Sequence, residues 1–168
     1  MLIRHPTLDE LFQIQQLELA AGAIFHTVDM AEIAEDDPPS RQTLERYLVL
    51  GQIWVVLGSD RTVQAYLMLD RVDGCAHIEQ VSVAPAAQGA GLGRALIAHA
   101  GRWAGLNNLP ALTLTTFAEV PWNAPYYQRL GFVQMADDML SPGLVQIRAQ
   151  EQAAGLDRWP RVCMQKVL

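Results

Sequence analysis

A glycine-rich stretch in the middle of the chain, from Val81 to Leu96, has the residue types and spacing of an anion-binding loop. An apolar alternating run ends at Pro85, and Gly89, Gly91 and Gly93 follow just where a helical pattern opens. A strand, a glycine turn and a helix N-terminus bring several unbonded backbone N–H groups to one point, at the positive end of the helix dipole. Glycines there carry no Cβ that would keep a bulky anion away. The sequence therefore predicts a phosphate-binding loop.

The spacing of the glycines excludes two common nucleotide-binding motifs. A Walker loop ends in Gly-Lys-Ser/Thr, and a Rossmann fingerprint needs Gly-x-Gly-x-x-Gly with an acidic residue about twenty residues further on. Neither pattern is present, and the stretch from Gln88 to Gly93 instead has the form Gln-x-x-Gly-x-Gly, followed by Arg94. Further along the chain, Tyr127, Gly131 and Phe132 form a Tyr-x-x-x-Gly-Phe pattern.

Together these two motifs resemble the signatures of the GNAT (Gcn5-related N-acetyltransferase) superfamily, and the resemblance is close from Asp73 to Val133. It implies acetyl-CoA as the acetyl donor and an amine as the usual acceptor. The resemblance implies that the end of the strand contacts the pantetheine arm and the thioester. It also implies that the glycine loop surrounds the pyrophosphate. The residues that it assigns to acetyl-CoA are Val81, Ser82, Val83, Gln88, Gly89, Ala90, Gly91, Leu92, Gly93, Arg94, Asn123 and Tyr127. The alternative is a tight turn that caps a helix without a ligand.

Acyl transfer to an amine requires a deprotonated amine, a stabilised oxyanion and a protonated leaving thiolate. Tyr127 matches the family's tyrosine, so the resemblance implies that it donates to the departing sulfur; the alternative is a packed aromatic. Asn123 lies closer to this tyrosine than the family's asparagine does. His77 and Glu79 are two residues apart on a predicted strand and would project from one face into the same cleft.

The pair His77 and Glu79 is similar to that of arylalkylamine N-acetyltransferase, in which two histidines hold these positions. Glutamate at the second position is common in the superfamily and acts as a base, often through water. The resemblance thus implies Glu79 as the principal base and His77 as the lesser candidate. The alternatives are a solvated charge for Glu79 and a hydrogen-bonded histidine near a hairpin turn for His77.

Composition limits the class of protein and its surroundings. With 168 residues, 51% of them apolar and 18% charged, the chain is expected to form a single domain over residues 1–168. Cys75 and Cys163 match no metal spacing, so we expect no metal and a reducing cytoplasm. The net charge of −6 disfavours nucleic acid as a partner. No apolar run has the length of a membrane span, and we expect neither a membrane partner nor a signal peptide.

Local patterns predict an α/β fold with the order β-α-α-β-β-β-α-β-α-β-α-β. We expect a GNAT-like domain whose mixed sheet has six or seven strands, is flanked by helices, and is splayed at the acetyl-CoA site. Predicted helices begin near Leu8, Arg41, Gly91, Ala124 and Ser141, and predicted strands are Leu2–Arg4, Ile53–Leu57, Thr62–Leu69, Cys75–Val83, Ala111–Phe117, Phe132–Met135 and Arg161–Leu168.

The function expected first is acetyl transfer from acetyl-CoA to a small-molecule primary amine, by direct attack in a ternary complex. The alternatives are a protein or peptide N-terminal or lysine acetyltransferase, and a non-catalytic acyl-CoA-binding module. The acidic segment Glu32–Asp37 could attract a cationic substrate or be a solvated loop. The fold also suggests a homodimer paired through the C-terminal strand.

Overall fold

The computed structural model describes residues 1–168 and contains seven strands and six α-helices. The strands are β1 Ile3–Arg4, β2 Ile53–Leu57, β3 Val63–Val72, β4 Cys75–Val83, β5 Ala111–Phe117, β6 Val133–Gln134 and β7 Arg161–Val167. The helices are α1 Leu11–Gly22, α2 Ala31–Ala34, α3 Arg41–Val49, α4 Leu92–Leu106, α5 Ala124–Arg129 and α6 Pro142–Ala153. The sheet has the order β1-β2-β3-β4-β5-β7-β6. This confirms the predicted mixed α/β sheet.

The chain divides into two compact units. The first unit contains Met1–Leu69 and Gln80–His99, and the second contains Asp70–Glu79 and Ala100–Leu168. Strands β3 and β4 and helix α4 contribute residues to both. We describe each unit by itself.

In the first unit, antiparallel strands carry a core built with two amphipathic helices. Strand β1 pairs with β2, and β2 pairs with β3. The apolar face of α1 repeats at helical spacing and is buried together with residues of α3 and the two longer strands. Ser40 accepts a hydrogen bond from the Thr43 N–H at 3.1 Å, which confirms it as the predicted N-cap of α3.

The start of the first helix differs from the expectation. Leu8–Glu10 form a 3₁₀ turn, and the α-helical part begins only at Leu11. The Thr7 N–H donates to Glu10 Oε2 at 2.9 Å, so the predicted capping interaction is present at this turn.

In the second unit, a hairpin leads into a parallel pair and then an antiparallel one. Asp73 and Gly74 have φ of 47° and 78°, as a two-residue type I′ turn requires. Strand β4 is parallel to β5, and their pairing consists of Ala76 with Leu112 and His77 with Thr113. Beyond His77 the two strands are no longer paired, which is the predicted splaying.

The position of β7 limits where the dimer contact suggested by the sequence could form. Strand β7 is antiparallel to β5 along its whole length, and its residues Gln165 and Met164 also pair with β6. Both hydrogen-bonding edges of its centre are therefore occupied within the chain. A homodimer paired through the C-terminal strand stays a prediction, and it would have to use the part of the β7 edge that β6 leaves unpaired.

Candidate active site

The glycine loop of the first unit has the predicted strand–turn–helix geometry. Strand β4 ends at Val83, a 3₁₀ turn covers Pro85–Ala87, and α4 begins at Leu92. Gly89 and Gly91 have φ of +81° and +77°, a region that residues with a side chain adopt only with strain. The loop conformation therefore depends on glycine at both positions.

The loop presents a group of backbone amides that have no backbone acceptor. The first amide of α4 that bonds backwards is that of Ala95, which donates to the Gly91 carbonyl at 3.0 Å. Those without a backbone acceptor belong to Gly89, Gly91, Leu92, Gly93 and Arg94. The side chain of Arg94 is exposed at the same helix end. Such an array, at the positive end of a fifteen-residue helix, is suited to an anion.

The strand residues before the loop are held in place by side-chain hydrogen bonds. Ser82 is buried, and its Oγ accepts a hydrogen bond from Gln80 Nε2 at 2.9 Å. Val81 and Val83 alternate with Ser82 and are partly buried. The backbone of Ala84 donates to the Gln64 carbonyl at 2.8 Å, so β3 supports this end of β4.

In the second unit, a short helix with bonded ends fixes Tyr127. The Asn123 carbonyl accepts the amides of Tyr126 and Tyr127 at 2.9 and 3.1 Å. At the other end, Lys166 Nζ donates to the Leu130 carbonyl at 2.7 Å. Tyr127 is 9% exposed, and its ring packs edge-on against that of Phe132. Burial, and to a lesser extent the neighbouring Tyr126, raises the pKa of Tyr127, so the phenol keeps its proton at neutral pH.

Asn123 carries a polar atom that the protein does not satisfy. Its Oδ1 is buried and has no hydrogen-bond partner, and its side chain does not cap α5. A buried acceptor without a donor costs free energy unless a ligand or water supplies one. The site is thus suited to an N–H donor from a bound molecule.

His77 and Glu79 differ in exposure, although they lie two residues apart on β4. His77 is 1% exposed, and its Nδ1 lies 3.0 Å from Thr113 Oγ1. Burial lowers the pKa of His77 to about 4, despite opposing effects of Glu151 and Asp70. Glu79 is exposed. The protein therefore encloses His77 and leaves Glu79 open to solvent.

Sequence reasoning missed a polar group on the inner face of α1. Glu18 Oε2 accepts a hydrogen bond from the Tyr66 hydroxyl at 2.7 Å, and its Oε1 accepts one from Gln80 Nε2 at 2.8 Å. The sequence spacing could have indicated this position, because Glu18 lies four residues after the buried Ile14 and is therefore on the same face of α1. An acidic residue on a buried helix face is unusual and could have been singled out.

A cavity of about 700 Å³ lies in the second unit, and the candidate catalytic residues do not line it. It is open to solvent near the β3–β4 hairpin, and its walls include Asp73, Cys75 and Thr113. None of His77, Glu79 and Tyr127 lines it. We therefore assign it no part in the candidate site.

Two further features concern the cysteines and the helices. Cys75 and Cys163 are both free thiols, and no group of three or more His, Cys, Asp or Glu side chains is close enough together to hold a metal ion. No helix combines the length and the apolar character that a membrane span requires.

Comparison with known proteins identifies the architecture. The family model "Acetyltransferase (GNAT) family" matches residues 15–132, which is more than half of the chain. The structure of Rv2747 from Mycobacterium tuberculosis in complex with CoA is similar with a TM-score of 0.69 and 17% identity, over 100% of this chain and 99% of that one.

Two other solved structures show the same fold. A GNAT-family acetyltransferase from Staphylococcus aureus Mu50 has a TM-score of 0.76 and 14% identity, covering 99% of this chain and 98% of its own. The ribosomal-protein-alanine N-acetyltransferase from Brucella melitensis has a TM-score of 0.71 and 19% identity, with both chains covered completely. At these identities the likeness concerns the fold alone.

Proposed function

Since the chain belongs to the acetyltransferase (GNAT) family, we propose that it is an N-acetyltransferase that takes the acetyl group from acetyl-CoA and transfers it to a primary amine of a small molecule. The single observation that carries this proposal is the array of amides without a backbone acceptor at Gly89 and from Gly91 to Arg94, at the start of α4. We assign the pyrophosphate of acetyl-CoA to this array and its pantetheine arm to the β4 segment Val81–Val83.

The unsatisfied Oδ1 of Asn123 supports the same assignment. It is an acceptor that would be satisfied by an amide N–H, and the pantetheine arm carries two such groups. When bound, acetyl-CoA supplies an activated thioester carbonyl. The residues of this chain then need to place the amine, remove its proton and protonate the leaving sulfur.

The chemical roles follow from the protonation states of the candidate residues. We assign Tyr127 to the leaving group, because its raised pKa keeps the proton that a donor needs. We assign Glu79 as the base, directly or through water, because it is exposed and can exchange protons with solvent. His77 is the lesser candidate, because its buried ring takes up a proton only near pH 4.

The activity can be tested with a thiol-release assay that combines acetyl-CoA with a panel of amines. Small primary amines should release CoA, and peptides with free N-termini or lysine side chains should not. Release with peptides alone would favour a protein acetyltransferase. Binding of acetyl-CoA without release for any amine would favour the non-catalytic module.

Tyr127→Phe should lower kcat about a hundredfold and leave the affinity for acetyl-CoA nearly unchanged, because only the proton donor is lost. Steady-state kinetics and calorimetry with CoA would measure the two effects. Tyr126→Phe is the matched control, because its ring packs 5.5 Å from that of Tyr127 and the same hydroxyl is removed. Wild-type kcat in Tyr127→Phe would exclude the leaving-group role.

Glu79→Gln should lower kcat at neutral pH by at least tenfold, since the amide cannot accept a proton. The loss should shrink as pH rises, because the free amine then arrives deprotonated. A pH–rate profile measures this, with the exposed Glu119→Gln as control. A profile identical to wild type would exclude Glu79 as the base.

Several further expectations remain proposals. We propose that residues 1–168 work as one acetyltransferase domain, although they form two compact units. The two free thiols support a reducing compartment such as the cytoplasm. A homodimer paired through the C-terminal strand also stays a proposal.

A further inference from the structure

The cavity of about 700 Å³ in the second unit has one face of the sheet as its floor. Thr113 pairs with His77 on one side and with Gln165 on the other, and Gln165 in turn pairs with Val133. Side chains of directly paired residues lie on the same face of a sheet, so these residues form one row. Thr113, Gln165 and Val133 line the cavity, and His77 is the next member of the row.

The walls above this floor are fixed by a contact between the β3–β4 hairpin and the start of α6. The Gly143 N–H donates to Asp73 Oδ2 at 2.6 Å, and the Ser141 side chain also bonds to this carboxylate. A Cβ on Gly143 would lie 2.6 Å from a methyl carbon of Val72, so glycine permits this close approach. Val72, Asp73 and Ser141 all line the cavity, which the fold therefore forms without a ligand.

Most of the remaining lining is apolar, and part of it is open to solvent. Val133, Met139 and Val167 line the cavity and are 70%, 70% and 74% exposed. Apolar side chains left exposed around one cavity are typical of a ligand site, and methionines adapt to ligands of different shapes. The cavity volume is within the range of about 300–1,000 Å³ that is usual for small-molecule sites.

Two polar side chains on the floor can orient a ligand. The Thr113 hydroxyl has one donor and two acceptor positions, and its hydrogen bond with His77 Nδ1, at 3.0 Å, uses one of them. The side-chain amide of Gln165, opposite Thr113, supplies both a donor and an acceptor. A ligand group that both donates and accepts hydrogen bonds, such as an amide, matches this pair.

The charges around the cavity favour an uncharged ligand. No Lys, Arg or His lines it, so an anion would have no counter-charge there. The one acid in the lining, Asp73, is exposed, and its carboxylate already bonds to the start of α6. Transfer of an unpaired charge from water into apolar surroundings costs free energy, so an ammonium group would also be disfavoured.

We propose that this cavity is a binding site for an uncharged small molecule that has an apolar body and one amide-like group. The apolar body contacts Val133, Met139 and Val167, and the polar group bonds to Thr113 and Gln165. The site is separate from the residues that we assign to acetyl transfer. It does not rest on that assignment, so failure of the acetylation assay leaves it unaffected.

Cys75 allows binding to be measured at the cavity itself. Its thiol is free and lines the cavity, whereas the free thiol of Cys163 is 4% exposed and does not line it. On the full chain, 4-phenylbutanamide should slow labelling of Cys75 by N-ethylmaleimide, with half of the effect at about 1 mM or less, and leave Cys163 unaffected. Labelling of Cys75 that the amide does not slow would overturn the proposal.

Two charged probes with the same apolar body test the chemical class of the ligand. Protection of Cys75 by 4-phenylbutanoate and by 4-phenylbutylamine should require concentrations at least about tenfold higher than protection by the amide, because each charge would lose its hydration. The measurement is made at Cys75, so binding of the amine elsewhere does not affect it. Protection by either charged probe that equals that of the amide would overturn the proposal.

Gln165→Leu tests the polar end of the site. It should weaken binding of 4-phenylbutanamide about three- to tenfold, as expected for the loss of one neutral hydrogen bond. Butylbenzene, which lacks the amide, should bind equally to wild type and Gln165→Leu, and this excludes a folding defect. Gln146→Leu is the matched control, because Gln146 is exposed on α6 and outside the lining. Equal affinity of the two variants for the amide would overturn the assignment.

A second copy of the chain is the alternative occupant, because the edge strand β6 contributes Val133 to the cavity. Without any probe, the rate of Cys75 labelling should be independent of protein concentration if a small molecule is the natural ligand. Sedimentation over the same concentrations reports the oligomeric state. Labelling of Cys75 that slows as a dimer forms would overturn the small-molecule assignment.

Discussion

Two partly buried carboxylates, one in each unit, have opposite electrostatic surroundings. Glu151 on α6 accepts hydrogen bonds from Arg148, Arg161 and Thr115, and the Arg161 Nη2 to Oε1 distance is 2.9 Å. Glu18 on α1 has only neutral donors and a second acid, Asp36, near it. Burial alone would raise the pKa of both. Arginine and threonine partners hold the pKa of Glu151 below its ordinary value, whereas that of Glu18 is raised.

The difference separates an acid whose charge is balanced by arginines from one that has only neutral partners. Glu151 connects α6 to β5 and β7 through Thr115 and Arg161, and its charge is fully balanced within the chain. Glu18 also connects a helix to two strands, but its charge is not balanced.

The largest effect on stability is expected when the charge of Glu151, which arginines balance, is removed. Glu151→Gln should lower the free energy of unfolding by about 3–5 kcal/mol, because it leaves the largely buried Arg161, 8% exposed, without its anion. Urea unfolding measures this loss. Glu18→Gln, the matched change in the other unit, should lose less than about 1 kcal/mol or gain stability, because it removes an unbalanced charge. Similar losses in the two variants would contradict the comparison.

A smaller effect is expected in how stability depends on pH. Because folding raises the pKa of Glu18, the stability that this group contributes is fully present below its unfolded pKa of 4.5. That stability is lost as pH rises through the folded pKa. Folding lowers the pKa of Glu151, so its effect on stability depends on pH in the opposite way. The stability that Glu151 contributes is lost as pH falls below 4.5.

Unfolding free energies of wild type, Glu18→Gln and Glu151→Gln between pH 3 and 8 would measure both signs. Relative to wild type, Glu18→Gln should gain stability as pH rises above 4.5, and Glu151→Gln should lose less as pH falls below it. The groups facing Glu18 in this range are Tyr66 from β3 and Asp36, with Gln80 and Ser82 uncharged. The buried His77, with its pKa near 4, contributes equally to wild type and Glu18→Gln, whereas Glu151→Gln removes a charge that raises the His77 pKa. Parallel curves would contradict the assigned pKa directions.

Local sequence predicted the elements well, because their signals lie within a few residues. The Asp73-Gly74 turn, the Ser40 cap and the glycine loop each depend on backbone conformations that neighbouring residues impose. The bounds of β2 and β5 agree with the prediction to the residue. Tyr127 of the family motif lies in the short helix α5, and Gly131 and Phe132 follow just after that helix ends, so the position of the motif could be anticipated.

Exposure and partners could not be predicted in the same way. Strand alternation placed His77 and Glu79 on one face, but packing around His77 buried one and left the other exposed. Glu18 and Gln80 are far apart in sequence, as are Glu18 and Tyr66. No periodicity indicates that they meet.

By itself, the sequence determined the strand–turn–helix loop from Val81 to Leu96, since glycine content and helix capping are short-range effects. It also determined the α/β order and, through two motifs, the family. Only the tertiary structure decided which acids carry a balanced charge. Pairing Glu151 with Arg161 and leaving Glu18 among neutral donors depends on how helices pack on strands, and charge balance between distant residues is a property of that packing.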